Sequence, residues 1–139
     1  IGMRMGQELN ATGIDRAFPW RDALTPLVLS LLIFWLHAVP GTDLGPVNWS
    51  SFFHLDKLVH ALMFGMLSTS SFIALGKSGN VRRYKVYMMV GIILYGIGLE
   101  FAQGLWFVDR YASWDDILAD VVGVFIGRVA FRLIYGVWN

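Results

Sequence analysis

Residues 86–107 read VYMMVGIILYGIGLEFAQGLWF, with Glu100 the one charged side chain among them. As an α-helix this stretch is about 33 Å long, enough to cross the roughly 30 Å hydrocarbon core of a bilayer. In lipid every backbone N–H and C=O has to be satisfied within the segment, and a helix does this. The stretch therefore reads as a transmembrane helix, and the acid inside it as an exception that needs a reason.

Working outward, the preceding Gly76-Lys77-Ser78-Gly79-Asn80, with Arg82, Arg83 and Lys85, makes a basic turn. Before that turn, Asp56 to Leu75 forms a further apolar helix. An earlier apolar run, Ala23 to Val39, is closed by Pro40, and its Pro26 falls in the first turn, where a missing N–H is tolerated. Pro40 to Leu55 is a turn-rich connection with an interfacial piece around Trp49, Phe52 and Phe53. On the other side, a short loop from Val108 to Ser113 leads into a fourth helix, Trp114 to Val137.

The expected fold is thus all-α: a polytopic membrane protein whose residues 23–137 form a four-transmembrane-helix bundle, preceded by a polar cytoplasmic segment, 1–22. Hydrophobic residues make up 56% of the chain, above the 45–50% usual for a soluble domain. Four crossings of about 20 residues leave little room for a soluble domain beside them. Basic residues ahead of a short apolar run also resemble a signal peptide, but a cleavage after Ala38 would put the bulky Leu36 at −3. An uncleaved first helix is expected. The chain has no cysteine, which removes disulfides and thiolate metal sites.

Charge asymmetry sets the orientation. Every lysine and arginine except Lys57 and Arg110 lies in the N-terminal segment, the 77–85 turn or the end of the fourth helix. Asp43, Asp56, Glu100, Asp109, Asp115, Asp116 and Asp120 lie at or near the opposite side. Cytoplasmic loops are the basic ones, so both termini are expected inside and the acids outside. Tryptophans near the helix ends, among them Trp20, Trp49, Trp106, Trp114 and Trp138, suit interfacial anchors.

Charges inside a membrane helix are costly and usually face the bundle interior. Glu100 lies about 10 Å below the outer end of its helix, Asp120 about 9 Å and His60 about 6 Å. Gln103 and Asp116 sit one turn nearer the surface. These groups are expected to form one cluster. Two acids as close as Glu100 and Asp120 need a cation between them or a shared proton, and Arg110, folding down from its loop, is the expected cation. A structural bridge from these acids to Arg110 or His60 is the plainer alternative. Asp116, Asp120, Gly123 and Gly127 lie on one helical face, and Ala119, Gly123 and Gly127 repeat every fourth residue. Small residues let helices approach closely in lipid. Gly91, Gly96 and Gly98, and Gly65, Ser68 and Ser71, suggest the same for the third and second helices. Asp56, Lys57 and Asp115 read as solvated helix ends, His37 and His54 as structural residues near an interface, and Arg128 and Arg132 as inner anchors that snorkel to the headgroups.

The order D-K-x-x-H at Asp56–His60, E-x-x-Q at Glu100–Gln103, then Arg110 and D-x-x-x-D-x-x-G at Asp116–Gly123 resembles the VanZ-like membrane proteins. Asp120 stands where that family more often has asparagine, and Val108 and Asp109 replace its proline and glycine ahead of the arginine. The resemblance implies the four-helix fold over about 23–137 and a site drawn from Lys57, His60, Glu100, Gln103, Arg110, Asp116 and Asp120. The family takes its name from a protein associated with resistance to glycopeptide antibiotics, teicoplanin in particular.

Three functions fit. The first is a noncatalytic protein of the bacterial cytoplasmic membrane whose outward polar pocket binds a lipid-linked or amphipathic envelope molecule. Arg110 and Lys57 would meet anionic headgroups there, and Glu100, Gln103 and Asp120 hydroxyl or amine groups. The second is an enzyme acting on lipid headgroups or an envelope polymer, with His60, Glu100 and Asp120 as candidate catalytic groups. The same residues could hold a divalent ion, but no H-E-x-x-H or comparable motif is present, and no metal or cofactor is expected. The third is a small subunit of a larger membrane complex. Membrane lipids are the expected partners and nucleic acid is not.

Overall fold

A computed structural model describes residues 20–39, 49–106 and 112–136, with backbone alone for 49–54. Among these residues there are four helices and no strand: α1 Trp20–Ala38, α2 Trp49–Lys77, α3 Val81–Trp106 and α4 Trp114–Tyr135. Three begin earlier than their apolar cores suggested, α1 by three residues, at Trp20. The segment at Trp49, expected as a loop, is already helical and runs into α2 without a break. The basic stretch 81–85, expected as part of the turn, is the first turn and a half of α3. Charged residues do not forbid a helix in water, so the hydrophobic boundary and the helical boundary part company there. Arg110, Phe107 and Val137 lie outside the described residues.

The turn between α2 and α3 is short because Gly79 adopts φ 76°, a left-handed conformation that favours glycine. Ser78 closes the end of α2, its Oγ donating to the Leu75 carbonyl at 2.7 Å. Gly136, at φ 64°, ends α4 in the same way, its N–H donating to the Arg132 carbonyl at 2.8 Å.

α1, α3 and the Leu55–Lys77 part of α2 are long and apolar enough to cross a membrane. The distribution of side chains agrees. Leu24, Leu31, Trp35, Leu62, Leu94, Phe125 and Leu133 are exposed, whereas Glu100, Asp120, His60 and Arg128 are buried. A soluble monomer rarely exposes so much contiguous apolar surface; lipid is the solvent that accepts it.

α2 and α4 share the most extensive helix interface, and glycines create it. A Cβ on Gly123 would collide with the Ala61 carbonyl and come within 3.0 Å of Ala61 Cα. One on Gly127 would collide with the Gly65 carbonyl and lie 2.7 Å from Ser68 Cβ. Ser68 and Thr69 tie the contact by donating to the carbonyls of Val124 (2.9 Å) and Gly127 (3.2 Å). Ala119 is half-buried. The expectation for α3 holds at Gly96 alone, because Gly91 and Gly98 have nothing within 4 Å of a Cβ position. Spacing along α3 did not reveal which of its sides faces the bundle. Phe64, Leu67, Ile33, Ile92, Leu99 and Val124 fill the centre, and Phe72, Leu75, Val81 and Phe131 the basic end.

Arg128 departs from its expected place. It is 4% exposed, with its guanidinium carbon 4.5 Å from the Phe72 ring centroid and 5.6 Å from that of Phe131. One residue past Gly127, it points about 100° away from the glycine stripe, on the side of Val124 and Phe131, where it stacks on aromatic rings instead of extending to the headgroups.

Candidate functional site

Antiparallel neighbours place the C-terminal part of α1, the first half of α2, the last turns of α3 and the start of α4 at one end of the bundle. His60, Glu100, Gln103, Asp116 and Asp120 are all buried there. The structure brings them together, and each position has a local cause. Glu100 Oε2 accepts the N–H of Ser113, the N-cap of α4, at 3.0 Å. This bond fastens the start of α4 to α3. Gly104 permits the approach, since a Cβ there would lie 3.2 Å from Ala112 Cβ. Gly96 makes room for Asp120: a Cβ would stand 2.9 Å from its Oδ2 and 3.0 Å from the Phe64 ring.

The pairing is specific. His60 Nδ1–H donates to Asp120 Oδ1 at 2.9 Å, a buried contact between α2 and α4. Lys57 Nζ, at the rim, lies 3.5 Å from Asp115 Oδ2 and 3.7 Å from Asp116 Oδ1. Lys57 and Asp115, expected as solvated helix ends, thus bridge α2 to the start of α4. Asp56 lies at the same rim, one of its oxygens close to His60 and Asp116.

His37, read from the sequence as structural, is the residue that completes the cluster. Its Nδ1–H donates to the Ile33 carbonyl at 2.7 Å, and its Nε2 stands 4.0 Å from Glu100 Oε1. Its ring meets that of His60 edge-on, with centroids 5.0 Å apart at 78°. Gln103 Nε2 donates to the His37 carbonyl at 3.3 Å. The signal was its depth, since a histidine in the last turn of α1 is level with His60 near the start of the apolar part of α2.

Of the expected pairings, the bridge from His60 to one of the two acids is present. Asp120 takes His60, whereas Glu100 takes Ser113 and faces His37. Arg110 lies outside the described residues. Beside the cluster is a cavity of about 230 Å³, lined by the apolar Trp35, Leu36, Val39, Val59 and Met63 and by the polar His37, Asp56, His60 and Gln103.

Four helices among the described residues, with exposed apolar flanks and a buried histidine–carboxylate cluster at one end, define a membrane protein with a buried polar site. A family model described as VanZ/LLP1 matches residues 14–135, and the chain belongs to that family. Neither a curated protein nor a solved structure matches it.

Proposed function

We propose that this VanZ-family protein is a multi-pass protein of the bacterial cytoplasmic membrane that binds a lipid-linked or amphipathic envelope molecule at its acidic end. In this reading all four helices span the bilayer, both termini are cytoplasmic and the polar site faces outward. The basic residues at the opposite end support that orientation. The exposed apolar residues Val122, Phe125, Ile126, Val129 and Leu133 support a lipid-facing α4 despite its charges. Because the chain has no cysteine, single cysteines report topology cleanly. Ala112→Cys should react with an impermeant maleimide in intact cells, and Arg82→Cys only after permeabilisation.

The observation that carries the binding reading is the mixed apolar and polar lining of the cavity. Trp35, Leu36, Val59 and Met63 suit an acyl or prenyl chain, and His60, Gln103 and Asp56 a polar headgroup. Thermal-shift measurements against polyprenyl phosphates, phospholipids and lipid-tailed glycopeptides test it. At least one should raise the Tm, and the rise should vanish in Gln103→Ala and Arg110→Ala while the helical circular dichroism persists. No shift from any of these ligand classes would defeat the reading.

The His60–Asp120 hydrogen bond favours a second reading. A carboxylate holding Nδ1–H leaves Nε2 as a base, suited to hydrolysis of a headgroup. Release of phosphate or headgroup from lipid substrates, lost in His60→Gln, would favour an enzyme over a binding protein.

A further inference from the structure

The hydrogen bonds at the acidic end orient both histidines for a task the binding pocket does not require. His37 gives its Nδ1–H to a backbone carbonyl, which can only accept, at 2.7 Å. His60 gives its Nδ1–H to Asp120 at 2.9 Å. Each ring therefore carries its lone pair on Nε2. One ring nitrogen from each histidine and one Glu100 oxygen lie within 4.8 Å of one another. Glu100 is 0% exposed, yet its Oε1 has no hydrogen-bond partner among the described residues. The nearby Lys57 is engaged by Asp115 and Asp116 at the rim. Among the described residues, a buried carboxylate and two imidazoles thus converge.

We propose that His37, His60 and Glu100 form a binding site for one divalent transition-metal ion, zinc by the character of its ligands. Two imidazoles and a carboxylate are a zinc donor set, whereas calcium and magnesium prefer oxygen alone. Asp120 acts from behind, as the carboxylate that fixes a ligating histidine and raises its basicity. Bond lengths of about 2.0–2.2 Å place tetrahedral donors roughly 3.4 Å apart. His37 Nε2 and Glu100 Oε1 stand 4.0 Å apart and the three donors within 4.8 Å of one another, so an ion would draw them together by about an ångström. With three protein ligands, a fourth position remains for water or for an oxygen of an incoming molecule. The metal site does not depend on the lipid reading, since an ion binds here whether or not an amphipathic molecule enters.

The test uses the full chain, purified in mild detergent with a tag that lacks histidine. Elemental analysis after exposure to zinc should give about one equivalent. Titration with Co(II) should give the visible absorption of a four-coordinate ion. His37→Gln, His60→Gln and Glu100→Gln should each abolish that absorption, and Asp120→Asn should weaken binding about 10–100-fold. Asp115→Asn, at the rim, should leave it unchanged. Should a ligand variant fail to fold, the wild type still decides: zinc should raise its Tm and EDTA reverse the rise. Folded wild-type protein that takes up no stoichiometric zinc or Co(II) overturns the proposal. So does metal binding that survives both His60→Gln and Glu100→Gln. If instead Arg110→Ala destabilises a metal-free protein, the site's cation is that guanidinium and the metal reading is wrong.

Discussion

Gly127→Ala adds one methyl group where α2 and α4 cross. Helix propensity favours the change by about 1 kcal/mol. Packing opposes it, because the new Cβ would collide with the Gly65 carbonyl and stand 2.7 Å from Ser68 Cβ and 3.0 Å from Ser68 Oγ. Side chains can rotate away from a clash, but a backbone carbonyl inside a helix cannot. The helices must therefore separate locally, at the upper end of the usual overpacking cost, about 3 kcal/mol. Separation also lengthens the Thr69 hydrogen bond to Gly127 and the Ser68 bond to Val124, worth about 0.6 kcal/mol each in a membrane. The net expectation is a loss of about 2–4 kcal/mol. Gly98→Ala is the matched control. With nothing within 4 Å of its Cβ, it should be neutral or stabilising by about 0.5–1 kcal/mol. Reversible unfolding of both variants in mixed detergent–SDS micelles, followed by far-ultraviolet circular dichroism, measures the difference. Gly127→Ala as stable as wild type, or Gly98→Ala as damaging as Gly127→Ala, would refute the assignment of this crossing.

Gly123→Leu should be more damaging still, because its larger side chain meets the Ala61 backbone; recovery of folded monomer by size-exclusion chromatography reads this directly. A double-mutant cycle on His60→Gln and Asp120→Asn should return a coupling of about 0.6–1.7 kcal/mol, the range for interhelical hydrogen bonds in lipid, and additive losses would deny the bond. Lys57→Gln should cost under about 1 kcal/mol in unfolding titrations, since its ammonium and Asp115 are solvent-screened. Arg128→Met should be neutral or stabilising by about 1–2 kcal/mol in the same titrations, because it removes a buried charge whose Nη atoms have no hydrogen-bond partner among the described residues. A loss above that size would show that the stacking on Phe72 outweighs the desolvation.

Depth along a helix is readable from a sequence, and rotation about its axis much less so. Glu100, Asp120 and His60 could be placed at one level by counting residues from the ends of apolar runs. The face of α4 was also readable, since Asp116, Asp120, Gly123 and Gly127 keep helical spacing. α1 offers no such pattern, because leucines and other apolar residues surround it on most sides. His37 could therefore be assigned a depth but no direction, and it read as an interfacial residue. The same gap explains Gly91 and Gly98, which share the composition of a packing stripe but not its direction. Arg128 is a further case: the habit of arginine near a helix end argued for headgroups, but one residue past Gly127 it is turned aside from the glycine stripe and onto the rings of Phe72 and Phe131.

Pairing is the last thing to emerge, because it depends on distances of an ångström or two between separate helices. From depth alone, Glu100 and Asp120 are interchangeable acids that ought to repel. The glycine crossing distinguishes them. Gly123 and Gly127 bring α4 against Ala61 and Gly65 of α2, and one turn further along α4 Asp120 meets His60, the neighbour of Ala61 in α2. Glu100, on α3, has no comparable contact with α2 and instead reaches the start of α4 at Ser113 and the end of α1 at His37. On α4 the packing stripe and the acids Asp116 and Asp120 therefore share one face. Its small residues determine how close α4 comes, and that closeness decides which histidine each carboxylate meets.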